Sequence, residues 1–151
     1  MPAAHFSTWM DHSVAEVLES MCFLTAEEST LPMEQHGEAL VSRRLEFRGP
    51  ELGCFGVQTT LPTARMIACN LLGEELEEIT EEQAGEAVGE IANMVCGAFL
   101  ARFEAKQAFD LTHPHMDHPL EQSEASATRI SRSFLIEEGG LIAWMEIEEG
   151  K

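Results

Sequence analysis

Basic residues are scarce in this chain. Nine Lys and Arg stand against 27 Asp and Glu, for a net charge of −18, so the cationic footprint that a phosphate backbone requires is missing. DNA and RNA are excluded as partners. Long apolar runs are missing too. No stretch approaches the ~18 apolar residues of a membrane span, and Met1-Pro2-Ala3-Ala4-His5-Phe6 has neither the basic region nor the apolar core of a secretion signal. A cytoplasmic protein without a membrane partner is expected. Cys22, Cys54, Cys69 and Cys96 form no Cys-x-x-Cys pair and lie in apolar or small-residue surroundings, which suits reduced core residues rather than disulfides or metal ligands. No internal repeat or low-complexity linker divides the chain.

What remains is 151 residues with 44% apolar content, enough for one domain over residues 1–151 with a real core. Thr8 is placed to cap a first helix, with Met10, Val14, Val17, Leu18 and Met21 at helical spacing toward Phe23. Residues 24–37 read as a loop. Ala39, Val41, Leu45 and Phe47 alternate along a strand, residues 49–53 turn the chain, and Cys54 to Thr60 forms the second arm of a hairpin. Pro62 opens and Gly73 closes a short second helix. Thr80 and Gln83 make a capping-box pattern, with Ile79 and Ala84 as a possible staple, that starts a long helix reaching about Ala105. An extended piece at Phe109 to Thr112 and a loop with Pro114 and Pro119 follow. Strands Thr128 to Glu137 and Leu141 to Glu148 then join at Gly139-Gly140, a pair suited to a two-residue hairpin turn. The expected class is α+β, a mainly antiparallel sheet covered by long helices. Trp9 and Trp144 suit core or dimer anchors, and Met10, Met21 and Met66 suit core filler.

The long helix carries the informative pattern. At about 100° of rotation per residue, Glu86, Glu90, Asn93 and Gly97 share one face while Val88, Ala92, Val95 and Phe99 fall on the opposite one. The apolar set should be buried and the polar set offered to water or to a partner. That polar face is locally unfavourable. Glu86 and Glu90 are like charges four apart, worth roughly 0.2–0.5 kcal/mol of repulsion, Asn93 is a poor helix former, and Gly97 costs up to about 1 kcal/mol in a helix interior. A solvated face of an acidic protein explains the charges; Asn93 and Gly97 better suit a surface that something approaches closely. Glu90 and Asn93 cannot form a nucleophilic triad, since neither is a strong nucleophile and no His or Cys lies within a turn on that face. They can position. An Asn amide has the donors and acceptor to hold a water in line with phosphorus, and a Glu can pair with a cation on a partner.

On these residues the chain resembles the CheC, CheX and FliY family of chemotaxis phosphatases. The family pattern is Asp or Ser, three residues, Glu, two residues, Asn, and a later Pro; here Glu86, Glu90, Asn93 and Pro114 take those places, with twenty residues between Asn93 and Pro114. The similarity runs from about Leu52 to Pro114 and includes Gly-Cys-Phe-Gly-Val-Gln-Thr-Thr-Leu-Pro and Gly-Glu-Ile-Ala-Asn-Met-Val-Cys-Gly. The resemblance implies the CheC-like fold and removal of the aspartyl phosphate of the response regulator CheY. Asn93 would orient the attacking water, Glu90 would dock to the regulator's lysine, and Glu86, Gly97 and Pro114 would belong to the partner-binding surface. It implies no cofactor of its own, Mg²⁺ entering only with the regulator. The single motif copy is similar to CheX, which implies a homodimer.

Glu86 stands where the family has Asp or Ser, and this leaves open a non-catalytic module of the same fold that holds a phosphorylated regulator. A second rival is His113-Pro-His115-Met-Asp117-His118, whose imidazoles and carboxylate are possible metal ligands. Its spacing matches no standard zinc pattern, and a polar loop explains it without a ligand.

Overall fold

The computed structural model describes residues 4–29, 39–49, 52–103, 110–116, 127–137 and 139–148. In chain order these form α1 (Ala4–Cys22), β1 (Ala26–Ser29), β2 (Leu40–Arg48), β3 (Gly53–Thr60), α2 (Leu61–Leu72), a 3₁₀ turn (Leu76–Glu78), α3 (Glu81–Phe103), β4 (Asp110–Leu111), β5 (His115–Met116), β6 (Ala127–Ile136) and β7 (Gly139–Glu148). The strands make one seven-stranded sheet in the order β1-β6-β7-β3-β2-β4, with β5 also on β2, and the pairings are antiparallel. The α+β class is as expected. Among the described residues no helix is long and apolar enough to cross a membrane.

Alternation gives the sheet a helix-covered face. Val41, Leu45 and Phe47 of β2, Phe55 and Val57 of β3, Leu141, Ala143, Met145 and Ile147 of β7, and Ile130, Phe134 and Ile136 of β6 point into one core with the buried sides of α1, α2 and α3. The register sets Leu45 opposite Phe55 and Phe55 opposite Met145, so each strand adds its apolar residues to the same layer. Trp144 is on the other face. It is 4% exposed, lies where a side chain at Gly56 would collide with its ring, and carries the Arg129 guanidinium 5.0 Å from its ring centroid. It is buried without joining the main core cluster.

Several boundaries depart from the sequence reading, each for a packing reason. The first helix begins at Ala4 rather than at a Thr8 cap. The added turn buries Phe6, whose ring meets Trp9 at 5.8 Å and Phe99 edge-on at 5.9 Å, an apolar burial of roughly 1.5–3 kcal/mol. Met21 is 43% exposed rather than core filler, because α1 ends one residue later with Cys22 in the buried position. The expected loop at 24–37 contains β1, which has no alternating pattern and is held by backbone pairing to β6. The loop holding Pro114 includes the two residues of β5, paired to Arg43 and Arg44 of β2. The β6–β7 turn is not at Gly139-Gly140. Ile136 pairs with Gly139, leaving Glu137 at φ 55 in the turn, and Gly139 sits in the strand where a Cβ would collide with Thr63. All four cysteines are free, with Cys22, Cys54 and Cys96 buried and Cys69 half-buried. Ala105, Phe109, Asp117, His118 and Pro119 lie outside the described residues.

Candidate functional site

Residue Thr80 and its partner Gln83 fix the start of α3. The Gln83 amide N–H donates to Thr80 Oγ1 at 3.0 Å, and the Thr80 N–H donates to Gln83 Oε1 at 3.0 Å. This reciprocal box satisfies two otherwise unpaired donors. From there the helix has two faces, as its periodicity dictates. Val88, Ala92, Val95 and Phe99 are completely buried, whereas Glu86 and Glu90 are exposed and Asn93 and Gly97 half-exposed. The inward side chains lock the rotation of the helix about its axis. The outward orientation of Glu90 and Asn93 is therefore set by the core.

Around Gly97 the surface is bare. A Cβ built there would meet no atom within 4 Å, so this glycine leaves open helix backbone one turn beyond Asn93. Gly85 and Gly89 behave oppositely. They are buried, and a Cβ at Gly89 would come within 3.1 Å of Pro114 Cβ, while one at Gly85 would collide with the Arg43 guanidinium. Pro114 thus packs on the side of α3, reaching it from the segment that enters β5.

Glu86, Glu90 and Pro114 meet at a cavity of about 400 Å³, with Arg43, Leu71 and His113 among the other lining residues. Asn93 and Gly97 lie further along the helix and do not line it. Of the five residues the sequence singled out, the structure brings Glu86, Glu90 and Pro114 to this cavity and separates them from Asn93 and Gly97. The sequence reading missed Arg43. This residue occupies an inward position of β2 between Val41 and Leu45, both buried, and its Nη1 donates to the Ser42 carbonyl at 2.8 Å. Burial lowers its pKa from the ordinary guanidinium value, and the nearby Glu86 carboxylate works against that shift. A charged residue interrupting an apolar alternation was the available signal, along with two glycines four apart inside a helix.

The histidines of the rival metal motif are divided. His113 lines the cavity beside α3, while His115 Nε2 lies 3.1 Å from Glu46 Oε2 across the β5–β2 pairing. Among the described residues no group of three or more His, Cys, Asp or Glu is placed to hold a metal ion.

The fold has close counterparts among solved structures. CheX from Vibrio vulnificus superposes with a TM-score of 0.75 at 23% identity, over 98% of this chain and 99% of that one. The CheX component of a CheX–CheY–BeF3–Mg²⁺ complex from Borrelia burgdorferi matches at 0.72 and 20% identity, over 95% and 98%. The FliM middle domain from Vibrio alginolyticus is more distant, at 0.57 and 14% identity over 95% and 92%. No curated relative matches in sequence. Residues 41–134, more than half of the chain and all of the segment that builds the cavity and the Glu90–Asn93 face, match the family described as chemotaxis phosphatase CheX, and the chain belongs to that family.

Proposed function

We propose that this protein hydrolyses the aspartyl phosphate of a CheY-type response regulator. The observation that carries this reading is the pairing of Glu90 and Asn93 on the outward face of a helix whose opposite face is completely buried, in a chain of the CheX family. Hydrolysis of an acyl phosphate needs a water on the phosphorus side opposite the departing carboxylate, and little covalent help from the enzyme. The Asn93 amide accepts from or donates to that water and holds it in line. Glu90, one turn back, pairs with the regulator's lysine and fixes the approach of the two proteins. Phosphorus–oxygen bond formation from water accompanies cleavage to the aspartate, which leaves as a carboxylate.

The Mg²⁺ that neutralises the phosphoryl oxygens comes with the regulator, and the protein supplies no cofactor. Gly97 gives the regulator backbone-close access beside Asn93, and Glu86 and Pro114 border the contact. Two copies form a cytoplasmic homodimer with one site each. The relative of similar fold that was solved together with CheY, BeF3 and Mg²⁺ supports this choice of partner.

Asn93→Ala tests the mechanism. Phosphate release from the phosphorylated regulator should be slower by at least about tenfold, near 1.4 kcal/mol of barrier, with folding unchanged because Asn93 is not part of the core cluster. Equal acceleration by wild type and variant would reject it. A second reading has its own observation: exposed Glu86 puts another carboxylate on the face that meets an anionic phosphoryl group. A non-catalytic module would bind the BeF3 form of the regulator without speeding phosphate loss, so binding and turnover measured on the same preparation separate the two.

A further inference from the structure

We infer that Arg43 is a positioning residue for this site, its charge drawing the Glu86 carboxylate toward the cavity that both line and away from the phosphoryl group that Glu90 and Asn93 meet. The inference rests on the functional reading given above for Glu90 and Asn93. A guanidinium keeps its charge at any ordinary pH. Placed on the core side of a sheet, it needs an opposing charge close by, since an uncompensated buried charge is strongly destabilising. Arg43 is half-buried on the core-facing side of β2, flanked by buried Val41 and Leu45, and shares its cavity with Glu86 and Glu90. Of these carboxylates, Glu86 is the one whose charge offsets the effect of burial on Arg43.

The helix is shaped to admit it. Gly85 and Gly89 each weaken α3 by up to about 1 kcal/mol relative to alanine, and the space they leave is filled. A Cβ at Gly85 would overlap the guanidinium, and one at Gly89 would lie 3.9 Å from Arg43 Cγ. Arg43 therefore rests on the turn that immediately precedes Glu86. Without it, Glu86 and Glu90 would stand as two unopposed carboxylates four residues apart, repelling each other and the incoming phosphoryl group. Arg43 makes a glutamate tolerable at position 86.

The test measures steady-state phosphate release from a phosphorylated CheY-type regulator, with each variant first shown to be folded by circular dichroism. Arg43→Met should raise KM about fivefold to tenfold with a smaller change in kcat, the pattern of weakened docking. Arg43→Lys, which keeps the charge, should remain nearer to wild type. Adding Glu86→Gln to Arg43→Met should recover most of the loss, and higher salt should narrow the gap between Arg43→Met and wild type by screening the exposed charge. A purely structural arginine would show neither recovery. Unchanged KM in folded Arg43→Met, or a deficit that Glu86→Gln leaves untouched, overturns the inference. If Arg43→Met does not fold, Gly85→Ala displaces the guanidinium while retaining the arginine, and the same raised KM and the same recovery by Glu86→Gln are required. Asn93→Ala in parallel separates the two readings. A fast Asn93→Ala removes the functional reading and this inference with it, whereas a slow Asn93→Ala beside an unaffected Arg43→Met removes this inference alone.

Discussion

Gly97 and Cys22 illustrate how differently single residues can be constrained. Gly97 has no neighbour that a side chain would strike, so the fold does not require glycine there, and helix propensity argues against it by up to about 1 kcal/mol. Gly97→Leu should leave the protein as stable or slightly more stable in urea, while weakening association with the BeF3 form of the regulator by about tenfold or more through the bulk it adds beside Asn93. Retained binding would remove Gly97 from the contact surface. Cys22 is held from the opposite direction. Its burial pushes the thiol up to about 11 from an ordinary 9.0, so the unfolded chain gives up the proton at a pH where the folded one keeps it. The stability contributed is complete below about 9 and is lost as pH rises through about 11. Urea midpoints should fall between about pH 8.5 and about pH 10.5 in wild type, and fall less in Cys22→Ala.

At the scale of elements, α3 depends on its first turn. Thr80 and Gln83 satisfy each other's backbone donors, and Thr80→Ala should cost about 1 kcal/mol, within the 0.5–2 kcal/mol range for such caps. The denaturant midpoint should shift while the slope does not. This cap, the Gly73 closure of α2 at φ 70 and the two faces of α3 were all legible, because each depends on residues within a turn or two of one another. The elements that escaped recognition are those held by distant partners. β1 is four residues, Ala-Glu-Glu-Ser, whose strand conformation comes from hydrogen bonds to Phe134 and its neighbours on β6. β5 is two residues on the edge of β2. Neither has a side-chain pattern of its own, since edge pairing through the backbone does not require one. The Gly139-Gly140 turn was misplaced for a related reason: Gly139 is small to admit Thr63, not to bend the chain.

For the whole molecule, the net charge of −18 sets a background against which every local interaction works. Glu74, Glu75, Glu77, Glu78, Glu81, Glu82, Glu86 and Glu90 are all exposed within one short stretch, and their mutual repulsion favours expansion. Raising sodium chloride from about 0.05 to about 0.5 M shortens the screening length several-fold and should raise Tm; a falling Tm would show that attractive surface pairs such as Arg132 with Asp11 at 2.8 Å outweigh the repulsion. The composition alone thus settled the acidity and the presence of a core, and the helical period settled which side of α3 faces outward, because both are sums or repeats over neighbouring residues. Tertiary structure alone decided that Arg43 rests against Gly85, that Pro114 abuts Gly89 and that Trp144 belongs to the far face of the sheet. Those placements follow from strand register and helix packing, which bring together residues from 25 positions apart, as Gly89 and Pro114, to 88 apart, as Gly56 and Trp144, distances over which no local periodicity carries information.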